Sequence, residues 1–303
     1  MFCDPARVGA FAVDRGALRA GDARALFRLL VATSMFQRRQ DVQILRILQG
    51  MAAADAAEIS DAGRLLALVD DGGCPHMQST QLLSEACDLE KDPKTRKGCC
   101  DANPRVPCHM KRHTVLLKRY GHFGKVPTSI ALMVRESGAA DLADLRRLVM
   151  KRERDPLVRA RALERELSRA WRVNQKIASM FLSMVTNPDL SRGLAPWSRG
   201  IDWTYYVVVD SNVDLFLASI GYEGIGTYDA RRDFVRELAR GIDLSELDGD
   251  LQPYNPRLVQ QAMYLFMSVA NRRAAAGDCI HLAPAPCTTC PIAVRVRCPG
   301  RPL

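Results

Sequence analysis

Three groups of residues in this chain have types and spacings that suit chemistry. Lys176 stands in the first turn of an apolar helix that reads Arg172-Val173-Asn174-Gln175-Lys176-Ile177-Ala178-Ser179-Met180-Phe181-Leu182. Asp210 follows the run Val207-Val208-Val209 and precedes Ser211-Asn212-Val213, the position of a helix N-cap. Cys279, Cys287, Cys290 and Cys298 form a C-x7-C-x2-C-x7-C pattern. The positive end of a helix dipole and an apolar floor both disfavour an ammonium group, which favours a neutral, nucleophilic lysine. A carboxylate beside it would orient the amine, carry its protons or stabilise a developing cation. The alternative is a solvated Lys176 and a purely structural cap at Asp210. Four thiolates in one compact stretch suit a metal ion or an iron–sulfur cluster, and their spacing alone does not decide between zinc and iron.

A second cysteine group, Cys74, Cys87, Cys99, Cys100 and Cys108, lies with His76, His109 and His113 in a Gly-, Pro- and charge-rich stretch. Cys74, Cys87, Cys99 and Cys108 are candidate ligands for a zinc ion, against the simpler reading of ordinary buried or exposed cysteines. From Lys91 to Lys125 ten basic residues face two acidic ones, a net of +8. The whole chain of 303 residues carries +9, from 43 lysines and arginines against 34 acids. A surplus concentrated in one stretch favours a polyanionic partner, because phosphate contacts dominate nucleic-acid affinity.

The elements that must hold these groups are helices. Apolar residues recur three and four apart from Asp22 to Met51, Ala52 to Val69, Ile130 to Val134, Asp141 to Trp171, Arg172 to Val185 and Asn255 to Ala270. Another helical pattern runs from Asp210 to Ala239, and a shorter one from Gln78 to Leu89. Only Tyr205 to Val209 fits a strand template, so the expected class is all-α. Gln37, Arg38, Arg39 and Gln40 interrupt the apolar stripes at a helix junction. The loop from Asn187 to Tyr206 holds Trp197, Trp203, Tyr205 and Tyr206, which suit either base stacking or an apolar plug for the loop. No stretch approaches a membrane span, and the opening lacks a signal-peptide layout. A cytoplasmic protein with reduced thiols is expected, its ten cysteines pointing to metal before disulfides.

The order of lysine helix, aspartate cap and cysteine quartet resembles the helix-hairpin-helix (HhH-GPD) DNA glycosylases of the endonuclease III superfamily that carry a C-terminal 4Fe-4S loop. Arg172 to Lys176 sits where that family has its hairpin and the Schiff-base lysine of its bifunctional members. Asp210 sits at the catalytic aspartate, and Gln37 at the glutamine that fills the gap left by a flipped base. The resemblance implies a two-domain all-α fold. Residues 25–206 would form a six-helix barrel with a basic Cys-rich insertion over 70–113 and the hairpin over about 165–186. Residues 1–24 and 207–303 would form the cluster domain. It implies a monomer associated with the nucleoid that acts on duplex DNA and excises a damaged base through Lys176 and Asp210. Gln37, Arg38, Arg169, Arg172, Asn174, Gln175 and Trp203 would meet DNA, and Cys279, Cys287, Cys290 and Cys298 would hold the cluster. The alternatives are a non-catalytic iron–sulfur DNA-binding or damage-sensing protein and a monofunctional glycosylase. The catalytic glutamate of the superfamily's adenine glycosylases is replaced here by Thr33. Two hairpin glycines are replaced by Arg172 and Asn174. Asparagine tolerates left-handed backbone and arginine does so at greater cost, so the hairpin is expected to be distorted, with Arg172 meeting phosphate through its charge.

Overall fold

A computed structural model describes residues 1–37, 41–72, 74–87 and 124–268. Among the described residues the regular elements are all helices, with no strand; the 205–209 run that fits a strand template is the end of a 3-10 turn, Trp203–Tyr205, followed by irregular backbone. The helices are α1 (Pro5–Val8), α2 (Arg15–Ala20), α3 (Ala23–Ser34), α4 (Asp41–Gln49), α5 (Ala53–Ile59), α6 (Ala62–Gly72) and α7 (Thr80–Glu85). After residues 88–123 come α8 (Lys125–Glu136), α9 (Leu142–Arg152), α10 (Pro156–Leu167), α11 (Gln175–Thr186), α12 (Ser211–Ser219), α13 (Tyr228–Arg240) and α14 (Pro256–Met267). Most starts are written in the sequence as side-chain caps. Asp22 accepts the Ala25 N–H, Asp141 that of Asp144, and Asp155 those of Leu157 and Val158 ahead of a proline at the first helical position.

The chain forms two compact units. The first comprises Met1–Gln37 and Ile44–Trp203; the second takes the described residues from Thr204 onward together with 41–43. In the first unit α3 is central and packs on α2, α8, α9 and α11. Nearly every residue from Ala25 to Ser34 is buried, so this helix is apolar all round rather than along one stripe. Each of Leu26, Leu29 and Leu30 contributes on the order of 2 kcal/mol by leaving water. Helix α8 lies against α3, α6, α7 and α10 and is buried from Lys125 to Val134.

Residues 1–24 belong to this first unit and not to a domain with the C-terminal half. Phe2 meets Phe36 edge-on at 5.5 Å, and Val8, Phe11 and Val13 are core residues. Arg28 Nη1 donates to the Ala10 and Ala12 carbonyls, and Gln49 Nε2 to that of Ala6. An apolar N-terminal stretch was available to either unit, and the arginine on α3 fastens it here.

The second unit packs α14 against both α12 and α13. Its core joins Val207, Val209, Val213 and Leu217 to Val235, Ala239, Leu244, Val259 and Met263. The helical pattern after Asp210 is broken between Ser219 and Tyr228, where Gly221 takes φ 81° and Thr227 caps the next helix.

Candidate functional site

Helix α10 ends at Leu167, and a short turn delivers the chain to α11. Its N–H groups fold back in sequence: Ser168 to Glu164, Arg169 to Glu166, Ala170 to Leu167 and Val173 to Ala170. Arg172 closes the turn with φ 63°, the one non-glycine residue with positive φ among the described residues. The expected roles of the two hairpin positions are therefore exchanged. Asn174 is extended (φ −83°, ψ 178°) and is the N-cap of α11, accepting the Ile177 N–H at 3.2 Å; the arginine bears the left-handed backbone. The turn is built rather than disordered by this choice. Val173 and Ile177 are buried on either side of it, and Ser179 Oγ donates to Glu164 Oε1 at 2.6 Å, clipping α11 to α10.

The outer surface of the turn is cationic and open. Arg172 and Asn174 are exposed, and Lys176 is half-buried at the second position of α11. Among the described residues no acceptor meets the backbone N–H of Arg172, Asn174 or Lys176. Such amides, with the positive end of the helix dipole and two cationic side chains, suit an anionic oxygen. Trp171 backs the turn. Its N–H donates to Ser129 Oγ at 2.6 Å, the Arg172 guanidinium lies 5.2 Å from its ring and the Lys125 ammonium 4.1 Å. Lys125 is almost fully buried and donates to the Cys87 carbonyl at 2.5 Å.

Asp210 belongs to the second unit. Its extended backbone (φ −134°, ψ −179°) makes it the N-cap of α12, with Oδ1 accepting the Asn212 and Val213 N–H groups, both at 3.0 Å. The run before it is stapled by Tyr228, whose hydroxyl donates to the Val207 carbonyl at 2.9 Å and accepts the Val209 N–H at 3.3 Å. Buried Arg257, on the first turn of α14, donates to Gln260 Oε1 at 2.5 Å and Gln261 Oε1 at 2.8 Å. Burial pulls Arg257 down to about 10, against the upward pull of Tyr228, Asp210 and Tyr264. Burial also pushes Tyr264 upward, reinforced by Asp41, whose carboxylate accepts the Tyr264 hydroxyl at 3.0 Å.

The other expected contacts are distributed as follows. Arg169 is neutralised by Glu166 at 3.0 Å and Glu136 at 3.3 Å. Gln37 directs its amide NH2 to the Ser34 and Arg172 carbonyls. Gln175 is half-buried in the first turn of α11, and Trp203 is half-buried at the start of its 3-10 turn. Trp197, Tyr205 and Tyr206 are buried; Trp197 meets Phe181 edge-on at 5.9 Å, and Tyr205 accepts a hydrogen bond from Arg232 at 2.7 Å. These three hold the loop, the second of the two roles open to them. Thr33 is fully buried and donates to the Leu29 carbonyl at 2.7 Å. Cys87 lies in an apolar cluster with Val69, Met77, Leu83 and Leu132, and Cys74 packs against it. Among the described residues no group of three or more potential ligands could hold a metal ion. Arg38, Cys99, Cys108 and the quartet Cys279, Cys287, Cys290 and Cys298 lie outside the described residues.

Trp171, Lys125 and Arg257 carry no sequence expectation, although one signal pointed to Arg257. An arginine one residue after a helix-starting proline in an apolar helix opposes the dipole and calls for a reason. Two arginines, Arg146 on α9 and Arg159 on α10, clamp the 187–203 loop: Arg146 donates to the Arg199 carbonyl at 2.9 Å and Arg159 to that of Gly200 at 3.0 Å. No helix among the described residues is long and apolar enough to cross a membrane. Compared with family models, curated proteins and solved structures, the chain matches none.

Proposed function

We propose that this chain is a bifunctional DNA glycosylase with abasic-site lyase activity, acting on a damaged or modified base in duplex DNA. The observation that carries the reading is the turn before α11. It combines left-handed backbone, open amides and an exposed arginine, and places a primary amine at the second helical position. Phosphate binding at the turn would bring the sugar of an extruded nucleotide toward Lys176.

In this mechanism the Lys176 amine attacks C1′. The C–N bond to the sugar forms as the glycosidic bond breaks, with its electron pair and a proton passing to the departing base. Asp210 stabilises the cationic sugar and shuttles the proton from the amine. Its Oδ1 stays with the α12 amides, which keeps the carboxylate aimed. Ring opening gives a protonated Schiff base; loss of a C2′ proton then expels the 3′ phosphate oxygen and cuts the strand. Cys279, Cys287, Cys290 and Cys298 would supply the four thiolates that a 4Fe-4S cluster takes, and Arg295, Arg297 and Arg301 in the same stretch of sequence suit phosphate.

Borohydride trapping on duplexes that carry one altered base or an abasic site tests the proposal. Wild type should form a covalent adduct, Lys176→Gln none, and Asp210→Asn far less. Base release without trapping would make the enzyme monofunctional. DNA binding with neither release nor trapping would replace the catalytic reading with that of a damage sensor.

A further inference from the structure

Gln37 lies three residues beyond α3, and its side chain is already engaged. The amide NH2 donates to the Ser34 carbonyl at 2.7 Å and to the Arg172 carbonyl at 3.0 Å. Two carbonyl acceptors at one end of the amide can be served only by its nitrogen. The first bond holds the side chain against the end of its own helix. The second reaches 135 positions along the chain to the one left-handed non-glycine residue described.

That residue gains most from an outside hold. A side chain with a Cβ disfavours left-handed backbone, so an arginine there tends to relax toward the right-handed or extended regions. Relaxation would rotate the peptide plane between Arg172 and Val173. The plane is held on both edges: its carbonyl by Gln37, its N–H by the Ala170 carbonyl at 3.0 Å. With the plane fixed, the Asn174 N–H, the first turn of α11 and the root of the Arg172 side chain are fixed too.

We propose that Gln37 is a positioning residue that holds the Arg172 turn in its phosphate-binding form, and that it acts on DNA through the hairpin instead of entering the base stack. The inference rests on the reading of the hairpin as a DNA-binding element. To enter a duplex, Gln37 would have to leave both carbonyls and free the Arg172 peptide at the moment the turn must grip a phosphate.

The test measures affinity of the full chain for an undamaged duplex over a range of salt, for wild type, Gln37→Met, Gln37→Ala, Arg172→Gly and the double variant Gln37→Ala with Arg172→Gly. Methionine keeps the length of the side chain and removes the donor. Loss of one such hydrogen bond should weaken binding by the two Gln37 variants about tenfold at most and at least threefold. Release of one phosphate contact should make the slope of log affinity against log salt shallower by about 0.9. In the Arg172→Gly background, where glycine holds the left-handed turn unaided, Gln37→Ala should change affinity by less than about twofold, given glycine's freedom at positive φ. An equal loss in both backgrounds would overturn the proposal. So would wild-type affinity and slope in Gln37→Met and Gln37→Ala together with slowed base release, which is the pattern of a gap-filling residue. A wild type that binds no duplex would overturn the hairpin reading and this inference with it. A wild type that binds but releases no base would remove the enzymatic reading and leave this one standing.

Discussion

Replacing Arg172 by alanine and by glycine separates its backbone from its charge. Both variants lose the guanidinium and its contact 5.2 Å from the Trp171 ring, so their difference reports the backbone, held at φ 63° in the folded chain and free in the unfolded one. A Cβ in that region costs about 1–2 kcal/mol. Glycine returns about 0.4–1 kcal/mol of this through the greater freedom of its unfolded chain. Arg172→Gly should therefore be more stable than Arg172→Ala by roughly 0.5–1 kcal/mol, which for a unit of this size is about 1–4 °C in midpoint. All three tryptophans of the chain, Trp171, Trp197 and Trp203, lie in the first unit, so urea unfolding followed by tryptophan fluorescence isolates it. An alanine variant as stable as the glycine variant would mean that position 172 is not held left-handed, and the account of the turn would fall.

Ser179→Ala removes the buried donor to Glu164 and should cost about 1–2 kcal/mol by the same fluorescence assay. Glu136 accepts the Thr80 N–H and hydroxyl, both at 2.6 Å, and so fastens α7 to α8; Glu136→Ala should loosen α7 by about 2 kcal/mol, read as roughly thirtyfold faster hydrogen exchange at Thr80–Glu85. Tyr264 titrates above its ordinary value of 10.0 when folded. Above that pH the unfolded chain releases the proton while the folded chain keeps it, so the stability Tyr264 contributes is present below pH 10 and lost as the pH rises. Tyr264→Phe should flatten the alkaline limb of the pH–stability profile, followed by circular dichroism. Cys290→Ala should abolish bound iron and its visible absorption, whereas Cys87→Ala, which empties an apolar position, should leave iron content unchanged.

The helices were legible because local rules and packing agree. Asp22, Asp155 with Pro156, Asn174 and Asn255 with Pro256 sit at real helix starts, and the apolar text of α3 and α8 became the core of the first unit. Long helical readings were too long wherever a break depended on a single backbone state. Gly221 in positive φ ends α12, and Ser60 with Asp61 divides α5 from α6. The position of Lys176 in the first turn of its helix was readable from periodicity, but the backbone beside it was not. Intrinsic preference assigns the left-handed place to Asn174, whereas in the structure Asn174 is taken up as the cap of α11 and Arg172, its carbonyl accepting from Gln37, has the positive φ. Residues 1–24 escaped for a similar reason. Apolar periodicity says that Phe2, Val8 and Phe11 are buried, and nothing local says against what.

Lys125 gives the scaffold a form of modularity. Its ammonium joins the Cys87 and Ser84 carbonyls, at 2.5 and 3.5 Å, to the start of α8, so the chain leaves and re-enters the first unit within the reach of one lysine side chain. Whatever lies between those two points is closed by that clasp, and the entropy of closing a loop grows only with the logarithm of its length. The first unit therefore keeps Trp171 and the turn beyond it on a frame closed by its own residues, the Lys125 ammonium reaching the Cys87 carbonyl on one side and the Trp171 ring on the other.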